Sequence, residues 1–271
     1  MNWILEPTVT ILAASETDFD ESLDLYTDGW HNSNNCCNFD ADFIPEFAGR
    51  VCYQSFTKRR PGGNKEYLKH ILELGHGSIL EHSVITFLIT GVSRSLTHEL
   101  IRHRAGTAFS ELSQRYYEVS DGRLGFILPP DMIGDEALTA AMTLEVRHAI
   151  KKYDDFTTML VAKLSNKWLE ESPEKNASRE DLTYIRKSAR QAARAILPNC
   201  TETHMVMTGN IRAWRNIIEQ RGSIHADKEI RRLACKIAEL SKFLAPNCFQ
   251  DLELYTDTDG SQSARFAYRK V

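Results

Sequence analysis

The chain has 271 residues, of which 42% are hydrophobic and 26% charged, with 14 Gly and 8 Pro. That ordinary globular composition excludes collagen-like, low-complexity and disordered classes. Thirty-three Lys and Arg against 37 Asp and Glu give a net charge of −4, which argues against a dedicated nucleic-acid binder. At about 150 residues per domain the length allows one large domain or two small ones, with a core that needs no staples. No apolar run approaches the roughly 18 residues of a membrane span, and the N-terminus lacks the basic start and apolar stretch of a signal peptide. The six cysteines, Cys36, Cys37, Cys52, Cys200, Cys235 and Cys248, include no Cys-x-x-Cys pair. A reduced, soluble, cytoplasmic protein is therefore expected, with no membrane and no nucleic acid among its partners.

Residues 15–40 are polar and acidic, with Glu16, Asp18, Asp20, Glu21 and Asn34-Asn35, so residues 1–45 are set apart as an acidic, loop-rich extension. A turn is expected over Arg59-Arg60-Pro61-Gly62-Gly63-Asn64. The spacing of Tyr67, Leu68, Ile71, Leu72 and Leu74 predicts a helix over Glu66–Leu74, ended by Gly75 and Gly77. Val84–Thr90 is rich in β-branched and aromatic residues and predicts a strand broken by Gly91. A helix is expected from Ser93, a good N-cap, through Arg104, followed by a loop over 105–113. From Asp135 to Glu171 apolar residues recur at helical spacing, as one long helix or two stacked ones ending at Ser172-Pro173. Ser178, with Asp181 three residues on, starts a helix that reaches Ala195. His204–Met207 is a strand candidate, and Asn210–Gln220 is helical. His225–Leu244 forms a last amphipathic helix with the stripe Ile230, Leu233, Ile237, Leu240 and Leu244. The final residues, 251–271, read as a loosely held polar tail, which leaves 46–250 as a single domain. The class is α+β, helix-rich with few strands.

No G-x-G-x-x-G follows a strand and no P-loop occurs, so a dinucleotide would not sit on either cradle. Metal ligation is not expected. His76 and His82 stand six apart. His98 and His103 would be displaced by about 140° on a helix, and no HExxH or CxxC accompanies them. Cys200 reads as a small buried hydrophobe rather than a nucleophile.

The densest chemical constellation is Ser93–Tyr117, which holds Arg94, Arg102, Arg104 and Arg115 with His98 and His103. Helical spacing would place Glu99, Arg102 and His103 as neighbours and turn Arg102 and Arg104 about 200° apart, as if for two ligands or for a ligand and a partner subunit. Guanidinium forks suit phosphates, and Thr107, Ser110 and Ser113 offer hydroxyls beside them. The bland alternative is a solvated basic face bridged to Glu99, Glu111 and Glu118. The second constellation is Arg194, Asn210, Arg212, Asn216, Arg221 and His225. There Arg212 and Asn216 share a helix face opposite Ile211, Trp214 and Ile218. Arg221 at a helix C-terminus has a structural rationale of its own.

These segments in order resemble the flavin-dependent thymidylate synthase family. Arg102-His103-Arg104 followed by Ser113 and Gln114-Arg115-Tyr116 is similar to its RHR-x7/8-S signature. Upstream stand Gly75-His76-Gly77-Ser78 and Glu81-His82; downstream, Arg194-Ala195-Ile196-Leu197-Pro198, then Asn210, Arg212, Arg221, His225-Ala226 and Glu229-Ile230. The resemblance covers roughly Phe47 to Cys248. It implies a fold with a small, mostly antiparallel sheet and a homotetramer whose active sites draw on several chains. It further implies formation of dTMP from dUMP, with methylenetetrahydrofolate as carbon donor, NADPH as reductant and FAD as cofactor, and no enzymic cysteine nucleophile. It assigns Ser78, His76, Arg102, His103, Arg104, Glu111, Asn210, Arg212, Asn216 and His225 to the cofactor. It assigns Glu99, Arg102, Glu111, Leu112, Ser113, Gln114, Arg115, Arg194 and Arg221 to the substrate, with Arg221 catalytic at the uracil edge. The sequence departs from the family at Glu99, where Gln is frequent, at Gln220 for Leu, at Asp227-Lys228 for Gln-Trp, and at Cys52 for Ser. Two competing readings are a nucleotide- or RNA-binding module on the same basic clusters and a flavoprotein with another acceptor.

Overall fold

The computed structural model describes residues 1–18, 21–27, 30, 40–58, 60–117, 119, 122, 124–173 and 176–269. Of the residues singled out above, Asp20, Asn34-Asn35, Cys36, Cys37, Arg59 and Glu118 lie outside the described residues. In chain order the elements are β1 (Trp3–Ile4), β2 (Thr8–Ala14), α1 (Glu21–Thr27), α2 (Asp40–Tyr53), α3 (Gly63–Leu74), β3 (Val84–Ser93) and α4 (Arg94–Leu100). Then follow β4 (Thr107–Glu111), β5 (Phe126–Ile127), α5 (Glu136–Glu171), α6 (Arg179–Ala193), β6 (Glu202–Asn210), α7 (Ile211–Arg221), α8 (Lys228–Leu244), β7 (Leu252–Thr256) and β8 (Gln262–Phe266). The helix-rich α+β class is as expected. Among the described residues no helix is long and apolar enough to cross a membrane. Where the sequence suggests one domain over 46–250, the chain divides into two compact units. The first comprises 1–6, 91–97 and 111–204; the second comprises 7–90, 98–110 and 205–271.

In the first unit, β1 runs parallel to β5, with Trp3 opposite Phe126 and Ile4 opposite Ile127. Val119, Phe126, Val146, Tyr153 and Ala193 form a core against which Trp3, Met142, Ile150, Leu197 and Cys200 pack. Cys200 therefore sits as a small hydrophobe. Asp135 caps α5 by accepting from the Leu138 N–H at 2.9 Å, and the helix runs unbroken for 36 residues. Ser178 and Asp181 form the predicted capping box on α6, which packs along α5.

In the second unit, β2 pairs antiparallel with β3, from Thr8 opposite Thr90 to Ala14 opposite Ile85, with a bulge between Ile11 and Ala13. The strand order is β2–β3–β6–β4. Alternation along β3 buries Ile85, Phe87 and Ile89, and Trp214 of α7 meets Phe87 edge-on at 5.1 Å. The apolar faces of α7 and α8 pack on each other, burying Ile211, Ile217, Ile218, Ile230, Leu233 and Ile237. Arg50 of α2 is sandwiched between Trp30 at 5.0 Å and Tyr67 of α3 at 4.7 Å and is paired with buried Glu46. Burial pushes the Glu46 carboxyl above its ordinary value, against the pull of Arg50.

Five expectations are corrected. Residues 3–4 and 8–14 of the supposed loop-rich extension are strands, because Trp3, Ile4 and Val9 find strand partners far along the chain. Gly91 does not break β3. It lies within the strand at φ 67, a conformation glycine adopts without strain, and its N–H donates to Glu202 Oε1 at 3.1 Å. Helix α4 stops at Leu100 instead of Arg104, so the 140° and 200° helical offsets do not describe His103 or Arg104. Residues 107–111, expected in a loop, form β4. The expected polar tail folds as the hairpin β7–β8, because Leu252, Ala264 and Phe266 are buried.

Candidate functional site

Within the second unit, Glu99 stands on the last turn of α4. The chain leaves that helix through two short turns, with the Arg102 N–H on Glu99 O and the His103 N–H on Leu100 O, both at 3.2 Å. The tightening tucks His103 inward until it is 9% exposed, and its carbonyl accepts from the Thr107 hydroxyl. Arg221 is the final residue of α7, as predicted, and its guanidinium comes to both groups. Nη1 donates to Glu99 Oε2 at 2.7 Å and Nε donates to His103 Nε2 at 2.9 Å. A third, longer bond runs from Nη2 to Glu99 O at 3.4 Å. Three of the five guanidinium N–H donors are thus engaged here.

Electrostatics and geometry agree on the protonation of this cluster. Burial, and then the Arg221 cation, hold the His103 imidazole below its ordinary pKa. His103 is therefore neutral near pH 7, and because Nε2 accepts from Arg221 its proton is on Nδ1. Glu99 is displaced upward, first by burial and then by the nearby Asp227 carboxylate, with Arg221 opposing. Asp227 drew notice only as a departure from a motif. Its proximity to Glu99 depends on how α7 turns into α8, which local sequence does not show.

Arg102 and Arg104 follow α4 as exposed side chains in irregular backbone. His225 is exposed in the turn before α8, its N–H on Ser223 Oγ at 3.4 Å.

Asn210 caps α7, its side-chain oxygen accepting from the Ala213 N–H at 2.8 Å while its own N–H reaches Gly106 O at 3.0 Å. Gly106 has φ +71, and a Cβ there would lie 2.5 Å from Asn210 Nδ2. Glycine is therefore required on two counts. Around this contact lies a cavity of about 320 Å³, lined by Glu81, Ala105, Gly106, Asn210, Arg212 and Asn216. A second cavity of about 380 Å³, lined among others by Cys52, Tyr67, His76, Ser78 and Arg212, shares the Arg212 wall. Both volumes fall in the usual range for small-molecule sites. Arg212 donates to Glu81 Oε1 at 2.6 Å, but these side chains are 44% and 48% exposed. Such a pair contributes little and is easily exchanged for another anion. The structure thus gathers Asn210, Arg212 and Asn216 at one cavity and His76, Ser78 and Arg212 at the other. Glu81 and Tyr67 are wall residues that the sequence reading left without a role. Tyr67 reaches the cavity only because α2 and α3 pack together.

Within the first unit, Glu111 pairs with Arg94 at 2.7 Å, and the Leu112 N–H is bonded to His204 O at 2.9 Å. The expected bridge from the basic segment to Glu111 is present. Ser113 opens a turn. Its carbonyl accepts from Tyr116 N–H at 3.1 Å and its hydroxyl from Arg115 N–H at 3.4 Å. Gln114 and Arg115 are half-buried there, and Arg115 Nε is buried without a hydrogen-bond partner among the described residues. Lys187 sits over the Tyr116 ring at 4.6 Å and draws the phenol below its usual pKa. Arg194 is half-buried at the start of the short 3-10 turn that ends α6. Among the described residues no cluster of three or more His, Cys, Asp or Glu could hold a metal ion.

Residues 38–247 match the family model described as thymidylate synthase complementing protein. A protein of Mycobacterium sp. (strain JLS) named flavin-dependent thymidylate synthase is 46% identical over 223 residues, which is 82% of this chain and 84% of that one. Proteins of the same name from Mycobacterium bovis (strain BCG / Pasteur 1173P2) and Mycobacterium tuberculosis (strain ATCC 25177 / H37Ra) are 46% identical over 230 residues, covering 83% of this chain and 86% of each relative.

Proposed function

The chain belongs to the flavin-dependent thymidylate synthase family, and from that premise we propose that it converts dUMP to dTMP with methylenetetrahydrofolate as carbon donor and NADPH as reductant, using FAD. The observation that carries the reading is the grip of Glu99 and neutral His103 on Arg221, which fixes a permanent cation at the end of α7. In this reading residues 46–250 carry the activity in a cytoplasmic homotetramer with the family's own fold.

The second unit suits a flavin dinucleotide. Two adjoining cavities share one guanidinium, and the Gly106–Asn210 contact leaves no Cβ in the way. Arg212, Asn210 and Asn216 would hold the cofactor at one cavity and His76 and Ser78 at the other. Arg102, His103, Arg104, His225 and Glu111 would complete the cofactor's contacts. When bound, FAD supplies the hydride chemistry, and the protein contributes position and field.

Glu99, Leu112, Ser113, Gln114, Arg115 and Arg194 would bind the nucleotide, together with Arg102 and Glu111. The buried Nε of Arg115 and the hydroxyl of Ser113 are suited to a phosphate. Uracil C5 is a poor nucleophile. The donors of Arg221 that Glu99 and His103 leave over would meet the uracil carbonyl oxygens and stabilise an anionic form of the ring, whose added electron density lets C5 attack the one-carbon unit. Charge stabilisation of this kind is usually the largest catalytic term. Arginine serves because it stays protonated, and neutral His103 adds no competing cation.

The test is dTMP formation from dUMP and methylenetetrahydrofolate with FAD, with and without NADPH, for the wild type and Arg221→Ala. NADPH-dependent product is expected, and Arg221→Ala should keep FAD while kcat falls about 10²–10³-fold. Near-normal turnover by the variant removes the charge-stabilising role. FAD binding without product favours another acceptor, and salt-sensitive polynucleotide binding without flavin favours the binding module.

A further inference from the structure

Helix α7 is tied to the C-terminal hairpin along one stripe. Arg215, Glu219 and Gly222 are spaced by four and then three residues, so they share a face. Arg215 is bonded twice to Asp251, at 2.7 and 2.9 Å, and once to Cys248 O at 2.7 Å. One carboxylate oxygen of Glu219 accepts from the Phe266 N–H at 2.9 Å and the other from Arg269 Nε at 3.0 Å. The Gly222 carbonyl accepts from the Ala264 N–H at 2.8 Å. The approach is so close that a Cβ on Gly222 would lie 2.8 Å from the Ala264 Cβ. Arg221, two residues beyond Glu219, is turned about 200° from it and leaves α7 on the other side. The hairpin lies outside the family match, which ends at 247.

We propose that Glu219, with the β7–β8 hairpin bonded to it, is a positioning residue for Arg221. It anchors the end of α7 from behind so that the guanidinium is held at Glu99 and His103. This rests on the reading that Arg221 stabilises charge on the substrate. The helix end is where a helix frays, because its last carbonyls lack intrahelical partners. Here Gly222 O is bonded to Ala264 and the two oxygens of Glu219 to Phe266 and to Arg269 just beyond the hairpin, so fraying that would swing Arg221 away is opposed.

The test uses the full-length, FAD-loaded protein with Glu219→Ala, Glu219→Gln, Arg221→Ala and the Glu219→Ala/Arg221→Ala pair. In Glu219→Ala, kcat should fall roughly 10- to 100-fold, the loss a small misplacement causes, with KM for dUMP and the bound flavin little changed. The His103 imidazole titration, followed by NMR, should move up as the cation that depresses it drifts off. Glu219→Gln keeps an acceptor for the Phe266 N–H and should recover most of the rate. In the Arg221→Ala background, Glu219→Ala should add less than about a twofold loss, the signature of two residues acting through one another. A normal kcat and an unmoved His103 titration in Glu219→Ala, with Arg221→Ala disabled, overturn the proposal. So does an equal fold-loss in both backgrounds. A fully active Arg221→Ala instead overturns the reading beneath it. If Glu219→Ala does not fold, Glu219→Asp, which keeps the charge but draws the carboxylate back from the Phe266 N–H and Arg269 Nε, takes its place. A shifted His103 titration then supports the proposal, and an unmoved one overturns it.

Discussion

Replacing Asp251 by alanine should destabilise the protein severely. The Arg215 and Asp251 side chains are 2% and 3% exposed. They share two bonds, and the same carboxylate accepts from the Tyr268 N–H at 3.0 Å. Alanine leaves a guanidinium buried without its counter-charge, which costs about 3–5 kcal/mol. Two features hold the figure near the lower end. Cys248 O and Tyr268 O still accept from Arg215, at 2.7 and 3.2 Å, and the centre of the Phe266 ring still lies 4.1 Å from its Cζ. At about 2–4 °C per kcal/mol for a chain of this size, a loss of about 3 kcal/mol lowers the Tm by roughly 6–12 °C. Urea unfolding and thermal melts of the flavin-free protein measure it. Glu253→Ala is the control. Its pair with Arg265 is 51% and 56% exposed, and its loss should stay below about 1 kcal/mol. Equal effects of the two substitutions, or less than about 1 kcal/mol for Asp251→Ala, would show that burial of the pair does not set its strength.

Other outcomes follow from the second unit. Gly106→Ala forces a Cβ at φ +71 to within 2.5 Å of Asn210 Nδ2. It should cost about 1–2 kcal/mol from the backbone alone and weaken FAD binding in a fluorescence titration; an unchanged flavin affinity would detach this contact from the cofactor. His103 should make stability pH-dependent in one direction. Its folded pKa is lowered from 6.5, so the unfolded chain binds more protons, and stability is lost as pH falls below about 6.5 through the folded value. Melts at acid and neutral pH should therefore show a smaller acid loss in His103→Gln than in the wild type. Glu99 works the opposite way. Its folded pKa is raised from 4.5, so its contribution falls as pH rises through that window, and Glu99→Gln should remove that fall.

Local patterning made the helices legible. The Ser178–Asp181 box, the helix expected over 210–220 and the apolar stripe of α8 all occur in the structure, because capping and amphipathicity are short-range properties. What escaped was set by long-range pairing. Trp3 and Ile4 become a strand only because Phe126 and Ile127 lie beside them, and residues 252–266 become a hairpin only because α7 and α8 cover it. Helix α4 illustrates the limit. Its Ser93 start was readable, since Ser93 Oγ accepts from the Leu96 N–H at 3.0 Å. Its end was not, because no glycine or proline marks Leu100. In the candidate site the identities of Glu99, His103 and Arg221 were available from motif order. The meeting of Arg221 with His103, 118 residues away in the chain, was not.

The ties on α7 also order events in time. Arg215 is bonded to residues 36 and 53 positions further on. During synthesis α7 therefore emerges well before Asp251, Ala264 and Tyr268 exist to receive it. A nascent chain carries the whole family-matched region while Arg215 still lacks its carboxylate and Gly222 O its N–H partner. The proposed setting of Arg221 is completed only once the residues up to Arg269 have been added, and a chain released soon after residue 247 lacks it.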